Sequence, residues 1–476
     1  MKNKHITFLI LALAGCLLSL FSCRNRNPNL SEKLLLELMD ETSYFVLPDT
    51  NYVPPAGVKY NEIREINPVS PPEIIDIAGN LEHKKEFKLS DFASSVRYIH
   101  LQQPPDTKFT SISGVVSDDE HIFINTREGL FCYSSEGHYL YTLCVNELEE
   151  SSMGVRIVSG VLNNVDLLNG RLMYRTYHWP SPDEGVTAIR VNVFDVNELD
   201  AQMLFNTRPR ETTYSAPQPT YRWRVNPTNN AGVSSRYLLM DDQSLFVSNS
   251  LTGVAIFGDT LCKFNDYDLP SLAPDARRVA SMPNIYRIAG QIMLQKGMND
   301  TVFHIAPPNR IIPAYIMHWG EYKADINQHA AGSDLDGQFV LRNWIETSRY
   351  IFIEYTEGRA YPARWSQGKV KFHWAVYDKT TKILTHHLTS DMPSMIEVRG
   401  APFSTPIPIS PLFENDIDSV GMPFWPRGVN HKDEMYMTFS KEQIKSYIDT
   451  GRFRNDKLQK IYNDMSDDGF CLMIVK

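Results

Sequence analysis

Most of the chain shows short runs of apolar residues separated by polar turns. From Phe87 onward the runs are rich in Val, Ile, Phe, Tyr and Leu, and the turns contain Asp-Asp, Asn-Gly or Glu-Gly pairs. Runs of this length and composition between such turns are typical of β-strands. The clearest example is residues 115–143, which hold three apolar runs and two tight turns.

Similar units recur along the rest of the chain. They cover residues 165–205, 237–269, 285–319, 338–388 and about 423–439, which together with 115–143 makes six. A ring of small sheets buries each sheet against its neighbours, whereas one open sheet with this many strands would curl or split. The pattern therefore predicts an all-β fold, a six-bladed β-propeller.

The C-terminal end predicts helices followed by a closing strand. Ser440-Lys441-Glu442-Gln443 is a capping box that starts a helix through Ile448, which breaks at Gly451 and resumes over 456–465. Phe470–Lys476 is apolar apart from its last residue and needs a partner strand. In a ring that partner is the N-terminal blade; the alternative is the edge strand of a sandwich.

The N-terminus has the pattern of an export signal. Lys2 and Lys4 precede an apolar run from Ile6 to Leu20, which ends in Leu20-Phe21-Ser22-Cys23. The run is too short for a membrane-spanning helix, and a small residue before a cysteine is typical of a lipoprotein signal. Residues 1–22 therefore predict a lipoprotein signal peptide with Cys23 as the lipidated residue; an ordinary secretory signal is the alternative.

Residues 23–79 precede the repeated units and contain a proline-rich stretch. This composition predicts an extended tether or strap between the membrane and the domain. The alternative is a segment packed along the domain surface, because Tyr44, Phe45 and Tyr52 are apolar. The domain organisation is then a signal peptide over 1–22, a strap over 23–79 and the propeller over 80–476.

Charge and cysteine content narrow the function. The formal charge is −9, and loss of residues 1–22, with two lysines and no acid, lowers it to about −11. This balance disfavours nucleic-acid binding and leaves the lipid on Cys23 as the membrane contact. Cys132, Cys144, Cys262 and Cys471 show no Cys-x-x-Cys spacing, so buried thiols are favoured over a zinc site or a disulfide framework.

Several segments resemble one protein family, the six-bladed β-propeller lipoproteins of gut Bacteroidetes, a domain-of-unknown-function family (4933/4934-like). The segments that carry the resemblance are Pro54–Tyr60, Lys88–Phe92, Val96–Leu101, Asn299–Phe303, Pro313–Ile316 and Trp319-Gly320. The resemblance implies the propeller fold and the cell envelope, and it implies no reaction. Surface-exposed lipoproteins of that group usually carry acids after the lipidated cysteine. Arg24-Asn25-Arg26-Asn27 therefore favours an outer-membrane protein facing the periplasm over surface display.

Two groups of residues are candidates for ligand binding. One is the loop after Tyr177, which combines a possible base, an indole and two carboxylates in His178, Trp179, Asp183 and Glu184. The other group combines aromatic platforms with guanidinium groups, and this pairing suits sugar rings and acidic sugars. Its members are Trp344, Trp365, Trp374, Trp425, Arg364 and Arg427. Incidental loop polarity and core packing are the respective alternatives.

Metal sites are weakly indicated. Asp334-x-Asp336-Gly337 has the form of half a calcium loop, but Ile345 stands where an EF-hand needs its glutamate, so a plain turn is favoured. His386 and His387 are adjacent in a strand and point to opposite faces, so they would not share a metal without a bulge. We predict no catalytic residue, no metal and no cofactor from these patterns.

Two functions stay open. The first is a non-enzymatic binding or scaffolding propeller for a glycan, a peptide or a partner protein, and we favour it. The second is a metal-assisted hydrolase or lyase acting on carbohydrates or lactones, which should gather several acids and histidines at one channel mouth. The residues available for such a gathering are Asp166, Asp183, Glu184, His318, Asp334, His373 and His431.

Overall fold

The computed structural model describes the C-terminal part of the chain from residue 72 to residue 476. Excepted are 106, 152–153, 179–187, 207–218, 226–235, 242–243, 249–250, 256–259, 264–283, 296–298, 307–309, 326–327, 329–332, 360–363, 365–366, 368, 389–394, 398–405, 409–412 and 450–455. The predicted signal peptide, Cys23 and the predicted strap up to residue 71 lie outside the described residues.

Among the described residues, three short strands come first and belong to three different sheets. They are β1 (Glu73–Asp76), β2 (Lys84–Lys85) and β3 (Val96–Leu101). Single 3₁₀ turns at Ala78–Asn80 and Leu89–Asp91 separate them. The sheets that they join are formed by residues far along the chain.

Blades 1 to 3 are antiparallel sheets in which each strand pairs with the next in sequence. Their strands are β4 (Ile112–Ser117), β5 (His121–Thr126), β6 (Gly129–Ser134), β7 (Tyr139–Val145), β8 (Glu147–Ser151), β9 (Gly154–Leu168), β10 (Arg171–His178), β11 (Ala188–Asp195), β12 (Tyr221–Val225), β13 (Tyr237–Leu239), β14 (Ser244–Val247), β15 (Thr252–Ala255) and β16 (Thr260–Lys263). Blade 1 is β4 to β7, blade 2 is β8 to β12, and blade 3 is β13 to β16.

Blades 4 to 6 complete the ring. Their strands, with a separate two-stranded hairpin of β25 and β26, are β17 (Asn284–Ile288), β18 (Gln291–Gln295), β19 (Thr301–Ala306), β20 (Arg310–His318), β21 (Phe339–Glu346), β22 (Tyr350–Glu357), β23 (Lys371–Asp378), β24 (Ile383–His387), β25 (Met395–Glu397), β26 (Pro406–Pro408), β27 (Gly428–Val429), β28 (Met435–Ser440) and β29 (Phe470–Val475). Blade 4 is β17 to β20, blade 5 is β21 to β24, and blade 6 is β27 to β29 with β3. The predicted six-bladed propeller is therefore confirmed.

The apolar runs reflect how blades pack. Every residue of β5, β19 and β29 is buried, because both faces of a blade pack against its two neighbours. The hydrophobic core accordingly forms clusters between successive blades instead of one central core. Inner strands of adjacent blades meet, as β4 does with β9 and β17 with β21.

The ring closes within blade 6. There β29 pairs with β28 on one side and with β3 on the other, from Phe470 opposite Leu101 to Val475 opposite Val96. The predicted closing strand is confirmed. Its partner differs in detail from the prediction, because the chain contributes one N-terminal strand to the last blade instead of offering the edge of blade 1. The last strand, β29, and the much earlier strand β3 thus share one ladder of backbone hydrogen bonds.

The segment from residue 73 to residue 101 runs along the outer edges of blades 4, 5 and 6. β1 pairs in parallel with β20, and β2 pairs in parallel with β24, before β3 enters blade 6. Residues 73–76, near the end of the predicted strap, therefore lie on blade 4. We call residues 73–101 the N-terminal belt.

Three α-helices accompany the blades in the part of the chain that the structure describes. α1 (Val196–Asn206) follows β11, while α2 (Lys441–Asp449) and α3 (Asp456–Asp464) join β28 to β29. The predicted capping box is present, since the Gln443 N–H donates to Ser440 Oγ (3.2 Å) and the Ser440 N–H donates to Gln443 Oε1 (2.9 Å). Within the part of the chain that the structure describes, no helix has the length and apolarity to cross a bilayer.

The described cysteines are free thiols. Cys132 and Cys471 are buried and Cys144 is half-buried. Cys132 lies opposite Tyr141 and Cys144 opposite Leu130, so the two do not face each other in the hairpin. The side chain of Cys262 lies outside the described residues.

The strand directions define two faces of the ring. Because neighbouring strands are antiparallel, the turns between first and second strands and between third and fourth strands lie on one face. We call it the turn face; it carries the turns 118–120, 135–138 and 430–434. The opposite loop face carries the connections between second and third strands and between blades.

A buried histidine joins blade 1 to blade 2. His121 Nδ1 lies 3.1 Å from Asp118 Oδ1 and its Nε2 lies 3.0 Å from Asp200 Oδ2, in helix α1. The Tyr141 hydroxyl donates to the other oxygen of Asp200 (2.6 Å). The hydrogen bonds to Asp118 and then to Asp200 raise the pKa of His121 to about 10. The imidazolium is thus the charged centre of this contact.

We expect His121→Gln to lower the free energy of unfolding by about 2 kcal/mol at pH 6, because two charge-assisted hydrogen bonds are lost. The folded pKa lies above the unfolded value of 6.5. The stabilisation is therefore complete below about pH 6.5 and disappears as the pH rises to about 10. Urea unfolding at pH 6 and pH 10, with exposed His138→Gln as control, measures this. A difference between wild type and His121→Gln that does not change with pH would contradict the charged state.

Candidate functional site

The loop-face residues predicted to bind ligand are only partly described. His178 is the last residue of β10 and is exposed. Trp179, Asp183 and Glu184 lie outside the described residues, and so does Trp365. The prediction that His178 acts together with its neighbours therefore stays a prediction.

The described tryptophans of the predicted aromatic platform are core residues. Trp344 is buried between blades 4 and 5, and Trp374 and Trp425 are buried between blades 5 and 6. Trp425 is fully buried and packs against Phe352 and Phe413. The hypothesis that these three indoles hold sugar rings is corrected accordingly, because no indole face is open to solvent. Filling the space between blades is their physical role.

The two predicted arginines have different surroundings. Arg364 is 3% exposed, and its guanidinium pairs with Asp334 (2.5 Å) and with Asp336. The carboxylates of the half calcium loop, for which the sequence favours a plain turn, thus bind a cationic side chain. Across the described residues, no three His, Cys, Asp or Glu side chains are placed to share a metal ion. Arg427 is exposed, and its backbone N–H donates to the backbone carbonyl of Tyr436 (2.8 Å).

The candidate histidines of blades 4 and 5 hold the N-terminal belt. His318 Nδ1 lies 2.9 Å from Asp76 Oδ1, and His387 Nδ1 accepts the Phe87 N–H (3.2 Å). His386 Nδ1 donates to the Asn80 carbonyl (3.0 Å), and its Nε2 accepts the Tyr355 hydroxyl (2.7 Å). Burial lowers the pKa of His386, which favours the neutral ring in these contacts. The three rings therefore have structural partners.

The residues of the predicted hydrolase site do not converge where they are described. Asp166 is buried, and its carboxylate binds Arg287 (2.6 Å) and the Leu239 N–H (2.7 Å), which ties blades 2, 3 and 4 together. His373 stacks on Tyr355, and burial lowers the pKa of its ring to about 4. His318 lies in blade 4, Asp334 lies in the connection between blades 4 and 5, and His431 lies in blade 6.

A cleft of about 170 Å³ opens on the turn face between blades 1 and 6. Its apolar walls come from Val115 and Ile122 of blade 1 and from Leu472 and Ile474 of β29. Charged side chains of both signs complete the lining. The cleft lies where the first and last blades meet, so ring closure forms it.

The turn 430–434 places one carboxylate in this cleft. Asn430 Oδ1 accepts the N–H groups of Lys432 and Glu434, both at 2.9 Å, which is how asparagine shapes a tight turn. Asn430 Nδ2 donates to Glu434 Oε2 (2.9 Å). Glu434 is 9% exposed, so the turn holds a largely buried carboxylate in the lining.

Polar contacts join the two blades across the cleft. His431 lies 3.2 Å from Ser117 Oγ through Nδ1 and 3.3 Å from Asp119 Oδ1 through Nε2, and Lys432 Nζ lies 2.7 Å from the same oxygen. The hydrogen bond from Lys432, followed by that from His431, lowers the pKa of Asp119. Serine, histidine and aspartate also form the set used in acyl transfer. Here Asp119 is 79% exposed and shared with Lys432, so the row serves as a bridge between blades.

The Arg97 side chain lines the other side of the cleft. Arg97 of β3 lies opposite Ile474, which lies opposite Tyr436, so the three side chains stand side by side across blade 6. Arg97 is exposed and lines the cleft. Over the described part of the chain no acidic side chain pairs with its guanidinium. The cleft thus has a buried acid, an available base and apolar walls.

The sequence-based candidates included His431 but missed Arg97 and Glu434. One signal was available, because Arg97 takes a position in β3 whose equivalents on the same face, Ile99 and Leu101, are buried apolar residues. The contact partners were not available, since Ser117 and His431 are 314 positions apart. Only the closed ring brings them together.

Comparisons with known proteins identify a family and no activity. The model of the family Domain of unknown function (DUF4933) matches residues 55–450. No curated protein sequence matches the chain.

Among solved structures, a protein of Bacteroides fragilis that is predicted to be exported shares 12% identity over 85% of this chain and 99% of its own, with a TM-score of 0.49. A streptogramin B lyase shares 9% identity over 80% and 98%, with a TM-score of 0.30. A protein of unknown function from Bacteroides caccae shares 8% over 60% and 84%, with a TM-score of 0.30. At these scores the propeller assignment rests on the sheets themselves.

The burial of Trp425 leads to a test of its role. Trp425→Ala should lower the free energy of unfolding by about 3–5 kcal/mol, because it leaves a cavity between blades 5 and 6. Exposed Arg427→Ala, two positions away, should change it by less than about 0.5 kcal/mol. Urea unfolding measures both. Unchanged stability of Trp425→Ala would return this indole to the list of ligand-binding candidates.

Proposed function

The chain belongs to the family Domain of unknown function (DUF4933), and we propose that it is a lipoprotein of the cell envelope whose propeller serves as a binding module. The lysines and apolar run before Cys23 support a lipid anchor on that residue. The residues Arg24 to Asn27 support attachment to the outer membrane on its periplasmic side. The binding partner is a glycan, a peptide or a protein.

The observation that carries the binding proposal is the cleft between blades 1 and 6. It combines apolar walls with a largely buried carboxylate and an available guanidinium, which is the composition of sites that bind and orient a polar ligand. The tryptophans offer no such surface where they are described. We therefore place ligand binding on the turn face instead of on the aromatic residues chosen from the sequence.

The size of the cleft limits what it takes. Its volume of about 170 Å³ lies below the range of about 300–1,000 Å³ that is usual for drug-sized ligands. A small molecule, or the end of a larger one, fits this space. A long oligosaccharide would have to extend beyond it along the turn face.

The anchor proposal predicts where the protein is found in fractionated cells. The wild-type chain should sediment with membranes and incorporate labelled fatty acid, and Cys23→Ser should do neither. Cys16→Ser, a change in the same signal segment, should behave like wild type. An unlabelled wild-type protein in the periplasmic fraction would mean that residues 1–22 form an ordinary secretory signal.

The binding proposal predicts that ligands stabilise the protein through the cleft. A panel of glycans, uronic acids, amino acids, peptides and divalent metals would be screened by thermal shift on the full mature chain in detergent. A ligand at a hundredfold its dissociation constant should add about 2.7 kcal/mol to the free energy of unfolding. Ser135→Trp, which fills the cleft, should abolish the shift, and His138→Trp in the same turn should not. A shift that survives Ser135→Trp would place binding elsewhere.

A further inference from the structure

We infer that the cleft between blades 1 and 6 binds a small zwitterion with an apolar body, an α-amino acid or short peptide, whose ammonium contacts Glu434 and whose carboxylate contacts Arg97. This inference rests on the proposed binding function and names its ligand class. It follows from four properties of the lining: a buried acid, an available base, their separation and the walls between them.

Glu434 provides the site for the ammonium group. A largely buried carboxylate is stable only when its charge is compensated or well hydrogen-bonded. Among the described residues its side chain has one donor, the Asn430 amide, on Oε2. A primary ammonium group carries three N–H donors and a positive charge, which is what the remaining carboxylate oxygen lacks.

Arg97 provides the site for the carboxylate group. The other two bases of the lining are engaged, since Lys432 binds Asp119 and His431 bridges Ser117 and Asp119. Arg97 keeps its guanidinium available, and its planar fork matches a carboxylate with two parallel hydrogen bonds. The anionic end of a ligand therefore contacts Arg97 of β3.

The spacing of the two groups suits one short molecule. Arg97 and Tyr436 are separated by two strand spacings, about 10 Å between backbones. Glu434 ends the turn 430–434 next to β28, and both Glu434 and Arg97 line the cleft. One ligand in the cleft can therefore reach both charged groups.

The rest of the lining selects against anions. Asp118 pairs with His121 and Asp119 pairs with Lys432, which leaves Glu136 and Glu434 against Arg97 among the charged groups of the lining. A uronic acid would meet this excess of negative charge without an ammonium to offset it. The apolar walls, with Ile122 and Ile474 among them, suit an aliphatic side chain. A zwitterion with such a side chain satisfies both features.

Calorimetric titration of the full mature chain in detergent tests the inference with four probes: leucine, leucyl-leucine, N-acetyl-leucine and leucinamide. Leucine or leucyl-leucine should bind, and the stronger of the two distinguishes a free amino acid from a peptide. N-acetyl-leucine lacks the ammonium and leucinamide lacks the carboxylate. Each should bind at least tenfold more weakly.

Two variants test which protein side chain contacts the ammonium end of the ligand and which contacts its carboxylate end. Glu434→Gln should weaken the binding of leucinamide and of the zwitterions at least tenfold. Arg97→Gln should weaken the binding of N-acetyl-leucine and of the zwitterions by the same factor. Glu120→Gln, which changes an exposed acid of the turn 118–120 outside the lining, should bind within about twofold of wild type. Circular dichroism and melting temperature report whether Glu434→Gln folds, and the blocked probes test the same contact on unaltered protein.

The outcomes separate this inference from the proposed function. If neither zwitterion binds but another ligand of the panel gives a shift that Ser135→Trp abolishes, the ligand class is wrong and the binding function stands. If no ligand gives such a shift, both fail. If leucinamide or N-acetyl-leucine binds as tightly as leucine, the two-ended recognition is overturned.

Discussion

The pairing of β29 with β3 is the contact on which the rest of the molecule depends. Six residue pairs, from Phe470 with Leu101 to Val475 with Val96, place the last strand and the strand that precedes blade 1 in one sheet. Without β3, blade 6 would lose its outer strand, and the apolar cluster between blades 6 and 1, which includes Ile99, would lose one wall. The cleft has the same dependence, because one of its sides is blade 1 and the other is blade 6.

Much of the fold was predictable because blade packing leaves a local trace. Strands buried on both faces, such as β5, read as continuous apolar runs, and the Ser440 capping box marks the start of α2 at Lys441. The path of the N-terminal belt was not predictable. β1 and β2 are short, and their parallel partners β20 and β24 lie hundreds of residues away, so no local pattern encodes the pairing.

The site was harder to predict than the fold for a physical reason. Tryptophan and arginine suggest ligand binding by their chemistry, yet the same chemistry serves the spaces between blades, as Trp425 and Arg364 show. What distinguishes a binding residue is an unsatisfied group next to an open space. Arg97 and Glu434 come to face one cleft only after the turn 430–434 has been brought beside blade 1, and residue type alone does not reveal it.

The N-terminal belt also sets the order in which the protein would yield to mechanical load. Tension that enters from the N-terminal side of residue 72 reaches the β1–β20 pair first and the β2–β24 pair second. It reaches β3 last. Side-chain contacts reinforce the first two attachments, through Asp76 with His318 and through Phe87 with His387. The two parallel pairs of the belt must therefore part before tension reaches the ladder that closes the ring.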